Sequence, residues 1–256
     1  MLVIANDYVG HWIEVSGGYE YEVLNPAINF INGLLGPERG ICFDVGANIG
    51  NHSVFFQNHF SQVVAVEANP EVFEVLAYNT RRFANVRAVN VALGEEEGEG
   101  VLTLADDANE GTGFVSTNSN VTNGTPVKII PLDALTKDAE GKIDLIKIDV
   151  EGFEQQVLRG ARQTLAVHQP IVLFEYYVSQ QGAFNAFELL ECSGYHQFYY
   201  VGTKYDNKTN GLPGKAAHFL LDTLMNSSFR VMPVRGRERD YNMVIAVPDR
   251  FADCTC

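Results

Sequence analysis

The stretch Ile41–Ser53, ICFDVGANIGNHS, narrows the possible folds more than any other part of the chain. Ile41, Cys42, Phe43 and Val45 form a short β-prone apolar run, the form a strand takes when both of its faces are buried in a parallel sheet, although periodicity alone leaves a helix open. Asp44 sits at its end. Gly46 and Gly50 then permit a tight turn and close approach of backbone to a ligand, and Ser53, Val54, Phe55 and Phe56 read as the opening of a covering helix. A strand, a glycine turn and a helix N-terminus in succession place main-chain amides where a polar ligand can meet them.

The pattern repeats downstream. Val63–Val66 is a second buried run ending in Glu67, Ala68, Asn69 and Pro70, and Pro70 suits the first turn of a helix reaching about Phe83. Glu67 follows the first glycine turn by the roughly 20 residues at which nucleotide-binding α/β folds place an acid on ribose hydroxyls. A plain helix-start acid favoured by the dipole accounts for the same residue. Val86–Val91 reads as a third strand closing in Ala92, Leu93 and Gly94. In the polar segment after it, Val101–Leu104 and Val127–Ile130 can pair as an inserted hairpin around a long flexible loop, either disordered or a lid.

Ile143–Glu154, IDLIKIDVEGFE, carries the most chemistry. Strand alternation puts Lys147 and Asp149 on one face, and a lysine in an apolar strand is costly unless paired, which points to Asp149 or Asp44 as its partner. Asp149, Glu151 and Glu154 crowd the strand end, with Gly152 at the turn into a helix over Phe153–Leu165. Crowded carboxylates serve as general bases, as metal ligands or as a structural ion network. Pro170–Phe174 is a further strand ending in Glu175, followed by a helix over Ala183–Cys192 and a strand over Tyr195–Gly202. Beyond these come a turn-rich insertion, Lys204–Gly214, a helix, Ala216–Met225, and a last strand, Tyr241–Val247, returning antiparallel beside Tyr195–Gly202. At the N-terminus a helix is predicted from Pro26 to Leu35, and Gly17–Glu22 reads as a surface hairpin that could also fold over a ligand.

Alternating strands and helices give an α/β fold, a doubly wound sheet with helices on both faces. One domain is expected, with residues 1–40 as a cap, 41–175 as the binding core and 176–256 completing the sheet. With 46% hydrophobic residues the chain has material for one sizeable core. Lys and Arg total 18 against 32 Asp and Glu, so the net charge of -14 repels phosphate backbones, and neither nucleic acid nor an anionic membrane is an expected partner. Four scattered cysteines suit a reducing compartment, and the terminal pair Cys254 and Cys256 lacks a second ligand pair at a zinc spacing. No apolar stretch is long enough to cross a bilayer, and a cytoplasmic location is expected.

FDVGANIGNHS, VVAVEANP, VNVALG, PLDAL, IDLIKIDVEGFEQQVLRGA and PIVLFE, in this order, resemble the FkbM-type S-adenosylmethionine-dependent methyltransferases over roughly Ile41–Glu175. The resemblance implies a Rossmann-like class I methyltransferase fold, a seven-stranded sheet with one antiparallel strand. It also implies that Asp44, Gly46, Asn48 and Gly50 line the methionine part of S-adenosylmethionine, that Glu67 holds both ribose hydroxyls, that Asn69, Ala92 and Leu93 border the adenine, and that Asp149 sits beside the methionyl group and the acceptor. The acceptor it implies is a hydroxyl on a sugar, glycan or polyketide-type molecule. Candidates for the base are Asp149, Glu151 and Glu175, with His52 as a further choice. A divalent cation held by the same acids is the less favoured route, and no metal ligands are assigned. Two alternatives stay open. A nicotinamide-dependent oxidoreductase would want G-x-G-x-x-G where Gly46 is followed by Ala47, Asn48, Ile49 and Gly50. A non-catalytic cofactor-binding module would need only the first half of the site.

Overall fold

The computed structural model describes residues 1–4, 8–104, 113–117, 124–137, 139–178, 186–202, 229–238 and 240–254. In chain order, α1 (Tyr8–Ser16) and α2 (Tyr21–Leu35) precede β1 (Ile41–Val45), α3 (Asn51–Phe56), β2 (Gln62–Glu67), α4 (Pro70–Thr80) and β3 (Val86–Asn90). Then come β4 (Ala92–Leu93), β5 (Gly98–Leu104), β6 (Gly113–Ser116), β7 (Thr125–Ile130), α5 (Leu132–Thr136) and β8 (Ile143–Ile148). The chain continues through α6 (Glu154–Arg159), α7 (Arg162–His168), β9 (Ile171–Tyr176), α8 (Ala186–Glu191), β10 (Gln197–Gly202), β11 (Arg230–Pro233) and β12 (Tyr241–Val247).

The main sheet runs β11-β10-β12-β9-β8-β1-β2-β3. Pairing is parallel from β3 through β9, and β12 reverses against both β9 and β10. This is the expected sheet, in which Tyr241–Val247 returns antiparallel beside β10, with an eighth strand, β11, added antiparallel at the edge. Four residues with an arginine at one end and a proline at the other are too short a run to read as a strand.

Alternation along the central strands divides the core. Ile41, Phe43, Val45, Ile146, Ile148, Val172 and Phe174 pack with Val157, Leu158 and Leu165 of α6 and α7 and Phe187 of α8. On the opposite face Cys42, Leu145, Ile171 and Leu173 pack with Leu24, Ala27, Ile28 and Ile31 of α2 and Phe55 and Phe56 of α3. The period of two therefore puts Asp44, Lys147 and Glu175, each two residues beyond a member of the second group, on the α2–α3 face at the carboxyl ends of their strands. The polar chemistry of the chain is gathered there.

Several expectations change. The helix placed at Pro26 begins at Tyr21, because Leu24, Ala27, Ile28 and Ile31 form one buried stripe that carries Pro26 inside it. Gly17–Glu22 is not a hairpin: Gly17, at φ 79°, accepts the end of α1 through its N–H bond to the Ile13 carbonyl, and Glu20 leads directly into α2. The third strand ends at Asn90, and Ala92 and Leu93 leave the main sheet for a second one, ordered β4-β7-β5-β6. Its core pair is the expected one, with Val101 opposite Pro126 in antiparallel register. The intervening segment, however, contributes β6 on the far side of β5. Phe153–Leu165 is two helices, broken where Gly160 passes so close to the Gly94 carbonyl that a Cβ would lie 1.9 Å from its oxygen. The insertion at Lys204–Gly214, the helix at Ala216–Met225 and Cys256 lie outside the described residues, as does most of the loop between β5 and β7.

Candidate active site

Three strand ends are stitched together at the glycine loop. Gly46 and Ala47 both donate their N–H to the Val66 carbonyl, at 3.0 and 2.9 Å, while Asp149 N–H donates to Val45, at 3.0 Å. Gly46 has φ 73°, and a Cβ there would sit 1.7 Å from the Asp149 carbonyl oxygen, so no other residue fits. The loop then turns through Asn48, at φ 50°, and Gly50, at φ 91°, into α3.

That turn brings the Asn48 N–H onto Glu67 Oε2 at 2.9 Å, and the Asn69 N–H meets Oε1 at 2.8 Å. Burial raises the Glu67 pKa above its ordinary value, against the lowering effect of these amides and of the Lys147 charge. The Asn69 side chain caps α4 by accepting from Glu71 N–H at 3.0 Å. Ala92 and Leu93 are buried at the root of the second sheet, whose small core packs on Ala68 beside Glu67. The second sheet thus adjoins the β2 end of the crevice.

At the β8 end, Lys147 Nζ lies 3.2 Å from Asp44 Oδ1 and 3.1 Å from Asp149 Oδ2, and it donates to the Gly46 carbonyl at 3.1 Å. Burial opposes the ammonium, but Asp149 and Asp44 outweigh it and push the lysine well up, so it is charged. Asp44 is completely buried and also accepts from Ser53 Oγ at 2.6 Å. Its side chain acts from beneath the loop. Asp149 keeps 31% of its side chain exposed. Glu151, at φ 46°, and Gly152, at φ 87°, form the turn, which Glu154 closes by accepting Gly152 N–H at 3.0 Å. Glu154 is buried, so of the crowded acids it serves the turn.

Glu175, one strand over, is pushed up to about 9 by burial first, then by the charges of Asp149, Glu20 and Glu151, with Lys147 only partly offsetting them. Tyr177 donates its phenol to Glu175, and burial with that contact raises the tyrosine. Among the described residues no group of three or more His, Cys, Asp and Glu side chains is placed to hold a metal ion.

Glu20 is the member that sequence reasoning passed over. Asn51, first residue of α3, grips Tyr19 by both main-chain groups: its Oδ1 accepts Tyr19 N–H at 3.2 Å and its Nδ2 donates to the Tyr19 carbonyl at 2.8 Å. The next residue, Glu20, stands in the left-handed region with its Oε2 3.5 Å from His52 Nε2. The only hint lay in the Gly17–Glu22 stretch read as able to cover a ligand. Contacts spanning 32 residues leave no local periodicity to find.

The profile of the Methyltransferase FkbM domain matches residues 44–225. The chain belongs to the FkbM methyltransferase family. A hexuronic acid methyltransferase, AglP, of Haloferax volcanii is 33% identical over 130 residues, covering 50% of this chain and 52% of the relative. The chain therefore spans about half the length of that curated relative. Among solved structures, an FkbM methyltransferase from Methylobacillus flagellatus superposes with a TM-score of 0.45 at 15% identity, covering 82% of this chain and 43% of that one. A TehB-like S-adenosylmethionine-dependent methyltransferase from Corynebacterium glutamicum gives 0.42 at 12%, covering 94% and 96%. The FkbM assignment meets the resemblance seen in the motifs and leaves the nicotinamide reading without support. Among the described residues no helix is long and apolar enough to cross a membrane.

Proposed function

We propose that the chain is an S-adenosylmethionine-dependent O-methyltransferase acting on a hydroxyl of a sugar, glycan or related small molecule. The observation that carries this is the Glu67 carboxylate, fixed at the end of β2 by one main-chain amide on each oxygen. An ionised carboxylate has about four acceptor positions, so two remain to take a vicinal diol such as the donor's ribose. Asn69, Ala92 and Leu93 border the adenine in this reading, and Gly46, Asn48 and Gly50 line the methionine side with Asp44 holding the loop from below.

The bound donor supplies an already activated methyl group on its sulfonium. The chain's own work is then to hold the acceptor hydroxyl in line, exclude water and accept a proton, and orientation is the larger part of that. Asp149 is the foremost base: it is partly exposed, and Lys147 fixes its carboxylate at 3.1 Å. Glu151 and Glu175 flank it; burial and the neighbouring acids keep Glu175 protonated up to about 9, so at neutral pH it can donate a hydrogen bond, and it can serve as a base only above that range. The name of the Haloferax volcanii relative supports a sugar acceptor.

Titration calorimetry with S-adenosylmethionine, S-adenosylhomocysteine and NAD tests the donor. Binding of the first two and not of NAD is expected, and the reverse would end the proposal. With a methylated acceptor in hand, Asp149→Asn is expected to lower kcat by about 10²- to 10⁴-fold with little change in donor affinity.

A further inference from the structure

We propose that Glu20, outside the span matched by the family, is a donor-binding residue that receives the α-ammonium of the methionyl end. This rests on the methyltransferase reading above. Glu20 stands at the α3 side of the glycine loop, near enough to Lys147 and Glu175 for each to influence the other's charge. In the proposed donor orientation, with the ribose on Glu67 at the end of β2, the start of α3 where Glu20 meets His52 is the methionine side of the glycine loop.

Two independent features point to a ligand there. The first is His52, a residue only 7% exposed, whose buried Nε2 meets only the Glu20 carboxylate, at 3.5 Å, too long for a well-formed hydrogen bond. Tyr19 lies parallel to the ring, with centroids 6.5 Å apart and planes 8° apart, so the imidazole is held in place. A buried polar nitrogen left without a hydrogen bond costs free energy unless something completes the arrangement. An ammonium drawing the Glu20 carboxylate between itself and His52 does so.

The second feature is charge. Asp44, Asp149, Glu151 and Glu20 gather around this end of the sheet, with Glu175 protonated beside them, and Lys147 is spent on Asp44 and Asp149. The surplus is negative, and the donor brings two positive groups and one negative one. Glu20 itself remains ionised, since His52 and Lys147 outweigh its burial and lower its pKa. The residue before it, Tyr19, is held to Asn51 by both main-chain groups, and the Glu20 carbonyl accepts from Val23 and Leu24 at 2.9 Å each, so the carboxylate is presented from a fixed backbone.

The test is calorimetry of wild type and Glu20→Gln with three ligands: S-adenosylmethionine, S-adenosylhomocysteine and 5′-methylthioadenosine, which lacks the amino-acid end. The variant is expected to bind the first two about tenfold more weakly and methylthioadenosine as tightly as wild type does. Equal affinity of the variant and wild type for S-adenosylmethionine would overturn the assignment. So would equal weakening of all three ligands, which would mean that Glu20 acts through the fold. If wild type binds none of them, the methyltransferase reading itself has failed, an outcome separate from the other two. His52→Gln, keeping a polar group beside Glu20, should show the same ligand selectivity at smaller amplitude; a loss spread over all three ligands would again overturn the assignment.

Discussion

At the end of β2 the Glu67 carboxylate accepts one main-chain N–H on each oxygen, at 2.9 and 2.8 Å. At the end of β9 the Glu175 carboxyl is pushed up to about 9, first by burial and then by the charges of Asp149, Glu20 and Glu151. The first end of the crevice is set by directional bonds to backbone that cannot move without moving strands. The second is set by acids that repel one another, held by a single lysine. Directional bonds prepare a fixed receptor for a constant ligand, whereas a strained acid cluster prepares a place whose charge changes when something binds.

Removing the lysine breaks the contrast most severely. Lys147→Met leaves Asp44, which is fully buried, without its counter-ion, and a loss of about 3–5 kcal/mol in unfolding free energy is expected in urea titration. Recovery of most of that loss in Asp44→Asn/Lys147→Met would assign it to the stranded charge. A smaller effect is expected from Glu67→Ala, which frees the Asn48 and Asn69 amides. S-adenosylmethionine and 5′-methylthioadenosine should both bind roughly 10- to 100-fold more weakly. Unchanged affinity for either would remove the ribose assignment.

The change expected from Glu175→Gln appears only as a dependence on pH. The folded state holds this proton from the ordinary value of 4.5 up to about 9, where the unfolded chain has released it. Glu175 therefore contributes stability that is fully present below pH 4.5 and is lost as pH rises through about 9. The melting temperature of the unliganded wild type should fall more steeply over that window than that of Glu175→Gln. Parallel curves would show that the cluster does not hold the proton there.

The same contrast explains what the sequence disclosed. β1 and β8 were legible because each is a short apolar run closed by turn residues, and their acids followed from position alone. Lys147 had to have a carboxylate partner, and the register placing it opposite Asp44 supplies one. Val86–Val91 read as a strand merely closing in Ala92, Leu93 and Gly94, because two adjacent β-prone pieces look alike until the chain changes sheet at Val91. β6 was missed because four residues in a polar setting carry little pattern. Glu20 escaped for a deeper reason: its meaning resides in Asn51 and His52, and nothing near it in the chain encodes them.

The absence of room for a Cβ at Gly46 also bears on how such a protein can diversify. The glycine loop and the Asp149 turn touch backbone to backbone, so a change of length in either would have to be matched in the other. The sheet of β4 to β7 and the segment bearing Glu20 join these two through side chains and edges. Those attachments can therefore change in sequence without disturbing the backbone contact at Gly46.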